Sequence, residues 1–68
     1  METVARVTTI TARSATSFEH AISNGVERAS KTLRNVSGAW VKAQKIEVTN
    51  GAISEWQVTL EVTFVLDD

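Results

Sequence analysis

The sequence predicts an α+β fold of element order β-α-β-β, a three-stranded antiparallel sheet in strand order 1-3-2 wrapped around one helix. Three observations carry that prediction. A run rich in Val, Thr and Ile, from Val4 to Ala12, opens the chain, and such residues suit a pleated surface. Apolar residues then recur at steps of three and four from Phe18 to Leu33, the spacing of one helix face. Asn50-Gly51 separates two further strand-like runs. That dipeptide favours a hairpin, because a type I′ turn needs positive φ at both central positions.

The first strand is predicted over Val4 to Ala12. Val4 and Ile10 fall on one face and Val7 on the other, so the strand is expected to be covered on both sides. A polar breaker, Arg13 to Ser17, follows. Thr16 and Glu19 have capping-box spacing, in which hydroxyl and carboxylate satisfy exposed backbone N–H groups. Ser14, paired with Ser17, is a competing cap one turn earlier. Phe18, Ala21, Ile22, Gly25, Val26, Ala29 and Leu33 form the apolar stripe of the helix. Its end is expected near Arg34, where Arg28, Lys31 and Arg34 complement the negative pole of the helix dipole. Gly25 lies within the stripe at a cost of about 1 kcal/mol relative to Ala, which points to close approach between helix and sheet.

After a loop from Asn35 to Gly38, the second strand is predicted over Ala39 to Thr49 and the third over Ile53 to Leu66. Trp56, Val58, Leu60, Val62, Phe64 and Leu66 alternate with Gln57, Thr59, Glu61 and Thr63, so the two sets occupy opposite faces. A right-handed crossover runs the first two strands in the same direction, and the hairpin reverses the third. Placing the third strand in the middle makes every neighbour antiparallel. A strand of about 14 residues is roughly 46 Å long, whereas a helix of about 18 residues covers roughly 27 Å. The sheet must therefore overhang or curl.

The 68 residues, without cysteine or proline, amount to one domain, residues 1–68. Burial of apolar surface is worth on the order of 100 kcal/mol, and ordering the chain costs about the same. Disulfides are excluded, and one histidine without thiols makes zinc ligation implausible; no metal ligands are expected. Self-association is the expected source of extra stability. Seven basic against eight acidic residues give no footprint for nucleic acid. No apolar run has the length of a membrane span, and the N-terminus lacks the pattern of a signal peptide, so a soluble cytoplasmic protein is expected. Glu47, Glu55, Glu61, Asp67 and Asp68 are scattered without an acid–base pair. No enzyme is expected.

The helix text SFEHAISNGVERASKTLRNV, the strand GAWVKAQ, the NG turn and the final WQVTLEVTFVLD together resemble the dodecin family, small flavin-binding proteins in which a three-stranded sheet wraps one helix. The resemblance spans about residues 4 to 67. It implies a hollow homododecamer that stores or buffers riboflavin, FMN or FAD between subunits. Flavin-binding members stack the ring on a tryptophan early in the second strand and hydrogen-bond its polar edge with a glutamine on the third. Gln57 matches that glutamine. The stacking position falls on Gly38, and Trp40 stands two residues later, on the same strand face about 7 Å away. Either Trp40 takes over the stacking, or Gly38 marks an altered or lost flavin site in an assembly that is structural or cation-associated.

A flavin needs a flat apolar contact and a few directional polar groups, which tryptophan and glutamine supply. Lys45 occupies the place where related proteins carry a basic residue facing the ligand phosphate; the alternative is a solvated strand lysine. Arg28, Lys31 and Arg34 would hold the phosphates of a second ligand such as coenzyme A, or serve the helix dipole alone. Trp56 is expected to pack on the helix or the overhanging edge, and His20 to lie solvated on the polar helix face. Symmetry copies of Glu61 or Asp67 around a cation complete the candidates.

Overall fold

In the computed structural model, which describes residues 3–66, strict alternation in the last strand decides where the core sits. Strand β1 (Ala5–Ser14) is followed by helix α1 (Phe18–Thr32), strand β2 (Val36–Thr49) and strand β3 (Ala52–Val65). The sheet order is β1-β3-β2, and both pairings are antiparallel, as the sequence predicts. Val58, Leu60 and Val62 project from the central strand to the helix side and are fully buried with Ala21. Ile10, Ala12, Phe18, Ile22, Val26, Leu33, Val36 and Val41 pack around them.

Gly25 is needed for this contact. A Cβ there would stand 2.9 Å from Leu60 Cδ1, closer than side-chain atoms pack, and a tight 3.1 Å from Ala12 Cβ. The other local device is the hairpin turn, where Asn50 and Gly51 take φ of 53° and 78°.

Several boundaries differ from the sequence reading. The helix is capped neither by Thr16 nor by Ser14. Ser17 has extended backbone, and its Oγ accepts from the His20 N–H at 3.0 Å. Ser14 remains in β1, nearly buried, and its Oγ accepts from the Thr16 N–H at 2.9 Å. That bond folds the link between strand and helix, so the hydroxyl has a turn to hold before any helix begins. The strand accordingly runs two residues beyond Ala12.

At the other end the helix stops at Thr32 rather than Arg34. The Leu33 N–H still bonds the Ala29 carbonyl at 2.9 Å, and Asn35 then takes a left-handed φ of 61°. Asparagine tolerates that region. A three-residue link, Leu33 to Asn35, thus reverses the chain, and β2 begins at Val36 instead of Ala39; Gly38 belongs to the strand, not to a loop. β3 ends at Val65, although Leu66 still donates to the Val4 carbonyl at 2.9 Å. The β2–β3 ladder also contains register shifts between Val36 and Gly38, Val41 and Ala43, and Glu47 and Val48, which no sequence signal announces.

Among the described residues only one face of the sheet is covered. Val7 on the other face is 55% exposed, so the two-sided cover expected for β1 is not provided within the chain. The overhang is present: extents are 52 × 19 × 13 Å, whereas a 15-residue helix spans about 22 Å. Ser14 is the last β1 partner of β3, opposite Trp56. Beyond it the β2–β3 hairpin continues without the helix or the first strand.

Candidate functional site

Residues on β3 two apart share a face, so the register assigns the outer face, away from the helix, in cross-strand rows. Val7, Thr63 and Gly38 form one row; Thr9, Glu61 and Trp40 the next; Arg13, Gln57 and Lys45 lie nearer the hairpin tip. Gly38, Trp40, Lys45 and Gln57 therefore stand on one surface. Trp40 is 68% exposed, an indole that no described residue covers. Among the described residues no atom lies within 4 Å of where a Gly38 Cβ would be, leaving open sheet beside the indole. Glu61 to Gln57 is four residues along β3, roughly 13 Å, and this separates the tryptophan row from the glutamine row.

The polar end of the surface is organised by charge. Arg13 Nε donates to Gln57 Oε1 at 2.9 Å and lies 3.6 Å from Glu55 Oε1. Lys45 Nζ pairs with Glu47 Oε1 at 3.2 Å. These pairs are solvent-exposed, so each contributes at most about 1 kcal/mol, and their effect is to fix orientation. Arg13 is the member that the sequence reading misses, because its neighbours from Ser14 to Ser17 mark it as part of a polar breaker. Its parity with Thr9 and Thr11 is the one available signal, and it becomes useful only once the strand is known to reach Ser14.

Arg28, Lys31 and Arg34 are not part of this surface. Arg28 borders a groove of about 570 Å³ between α1 and β1, lined also by Asn24, Thr32, Leu33, Thr8 and Ile10. Lys31 lies in the last helical turn, and Arg34 follows the helix. Trp56 is half-buried on the helix side of the sheet. His20 is exposed but engaged, its Nδ1 2.6 Å from Ser14 Oγ. Glu61 is half-buried on the outer face, while Asp67 lies outside the described residues. Among the described residues no group of three or more His, Cys, Asp or Glu side chains is placed to hold a metal, and no helix is long and apolar enough to cross a membrane.

The sequence model of the dodecin family matches residues 4–67. Among solved structures, dodecin from Streptomyces davaonensis is 38% identical, with 100% of each chain covered and a TM-score of 0.94. Dodecin from Streptomyces coelicolor is 32% identical over 97% of this chain and 94% of that one, with a TM-score of 0.91. A Thermus thermophilus protein is 31% identical over 98% of both chains, with a TM-score of 0.92. No curated protein sequence matches the chain at a significant level.

Proposed function

Because the chain belongs to the dodecin family, we propose that it is a non-enzymatic cytoplasmic flavin-binding protein that stores or buffers riboflavin, FMN or FAD in a hollow homododecamer. The observation that carries the reading is Trp40, a 68% exposed indole on the same sheet face as Gln57. An aromatic ring stacked on that indole gains a large apolar contact, and the Gln57 amide, further along the same face, gives its polar edge direction. The outer face of one chain offers a floor and no opposing wall, so an enclosed ligand needs a second copy across from it. Lys45, on the Gln57 row, is suited to a ribityl phosphate. Stacking on an electron-rich indole also quenches excited flavin, which suits storage better than turnover.

Titration of the apo protein with riboflavin and FMN, followed by flavin fluorescence, tests this. Strong quenching at micromolar ligand is expected, with Trp40→Ala weakening binding at least about tenfold, as for loss of a stacked aromatic. Trp56→Ala, on the opposite face, should change affinity less. Unchanged emission at high micromolar protein, or equal effects of the two substitutions, would refute the reading.

Gly38 favours a second reading, a dodecin-type assembly whose flavin site is altered or lost, leaving a structural or cation-associated shell. The open space around Gly38 admits a Gly38→Trp side chain without repacking. In this second reading only the Gly38→Trp protein quenches flavin, and the parent does not.

A further inference from the structure

The two edges of the sheet are built differently. β1 pairs with β3 along all of its ten residues without a shift. Its other side is therefore a regular edge, with no strand beside it among the described residues, and such an edge is a template for one more strand. β2, the opposite edge, carries extra residues at Ser37 and Lys42, where its register against β3 shifts. From Ala43 to Thr49 it is regular again, because the remaining shift is taken up on β3 at Ser54. Each edge thus has one stretch fit for pairing: the whole of β1, and the tipward half of β2.

What lies beside the two stretches is complementary. Along β1 runs the groove of about 570 Å³, lined by Ile10 and Ala12 from the strand and by Arg28, Ala29 and Thr32 from the helix. No carboxylate lines it, and Arg28 has no ion-pair partner among the described residues. Along the tip, Ile46 and Val48 stand 40% and 57% exposed on the helix side. Residues 46–55 hold Glu47 and Glu55 and no lysine or arginine. Lys45 and Arg13 neighbour these glutamates, so charge guides the approach and the apolar pair supplies the contact. Ile46 to Thr49 spans about 10 Å and the groove's strand wall, Thr8 to Arg13, about 17 Å. The shorter stretch fits within the longer.

We propose that the hairpin tip of a second copy adds to the free edge of β1, its Ala43 to Thr49 stretch pairing as a strand while Ile46 and Val48 enter the groove between α1 and β1. The proposal rests on the self-association in the reading above and is independent of flavin. Backbone pairing gives such an addition its affinity, and alternate side chains give it register. The contact is heterologous: the groove of one copy takes the tip of the next, and the series continues until a ring closes. One step covers the bare tip and removes the open edge. Pairing of β1 with β1 would satisfy the edge and leave both tips bare.

The chain has no cysteine, so an engineered disulfide reports the contact, since it needs Cα atoms within about 7 Å. Val48→Cys protein is refolded one to one with Arg28→Cys, Thr32→Cys or Ser23→Cys protein and oxidised, and linked peptides are identified by mass spectrometry. All four positions are exposed, and Ser23 does not line the groove. Linkage of the Val48 position to that of Arg28 or Thr32 should exceed linkage to that of Ser23 by about tenfold or more. In parallel, hydrogen exchange of the parent protein on dilution should show β1 amides losing protection as sedimentation shows the assembly coming apart. An assembly that persists while Val48→Cys links no better to the groove than to Ser23→Cys overturns the proposal and leaves self-association standing. β1 amides indifferent to dissociation overturn it too, whether or not the cysteine variants refold. A parent protein that sediments as a monomer near 7.4 kDa overturns both.

Discussion

At the root of the β2–β3 hairpin Val58, Leu60 and Val62 are fully buried, whereas at its tip Ile46, Val48 and Ile53 are 40%, 57% and 46% exposed. Register places all six on the helix side of the sheet: Ile46 is opposite Trp56, and Val48 is opposite Ile53. Composition is alike in the two halves, and at the tip a register shift between Glu47 and Val48 brings Ile53 to the same side as Trp56. The helix, at 15 residues, reaches only one of them. Alternation therefore specifies a face, and the length of a different element specifies whether that face is covered. In the proposed assembly other copies supply the cover of the tip, which is where that proposal and the shortage of core in so small a domain meet.

The comparison can be broken most sharply at the root. Leu60→Ala removes the largest fully buried side chain and should cost about 2–5 kcal/mol, read as a large drop in the urea midpoint. A loss under about 1 kcal/mol would mean that the helix does not cover this face. Gly25→Ala comes next. Overpacking costs about 1–3 kcal/mol and better helix propensity returns about 1, for a net loss of up to about 2 kcal/mol. Because Leu60 Cδ1 is the nearest obstacle, the Gly25→Ala/Leu60→Ala pair should lose less than the two singles added, and strict additivity would sink that explanation. The smallest effect on the fold belongs to the tip. Val48→Ser should leave the circular dichroism spectrum unchanged and cost the chain's own packing about 0.5 kcal/mol or less, while lowering the sedimentation coefficient. A fully retained assembly would show that the tip is not where copies meet.

The fold was legible wherever a local rule acts alone. Asn50-Gly51 can hardly be anything but a turn, the β3 alternation has no competing face, and the helix stripe runs unbroken from Phe18 to Leu33. Legibility failed where several residues could perform one task. Ser14, Thr16 and Ser17 all carry cap-competent hydroxyls within one turn of chain, and only the path of the backbone selects Ser17. Asn35, with its left-handed φ, ends a link of only three residues, and nothing in the sequence distinguishes that short link from a loop that runs on to Gly38. For the site, Trp40, Lys45 and Gln57 were identifiable as residue types suited to a flavin. Their common face was not fully so, since it depends on shifts of register in a ladder between distant segments. Arg13 was invisible for the same reason: its partner lies 44 residues away.

The register shift between Val41 and Ala43 has a consequence for heredity. Trp40 and Lys45 are an odd number of residues apart, and in an unbroken strand they would point to opposite sides. They share a side only because one extra residue is accommodated between them. Loss of a single codon in that stretch would change parity, sending either the indole or the ammonium to the helix side while leaving composition and length almost untouched. Point substitutions in this strand can be graded by chemistry, but an insertion or deletion of one acts as a switch. Lineages of this protein should therefore tolerate changes of letter at Lys42 far more readily than its removal.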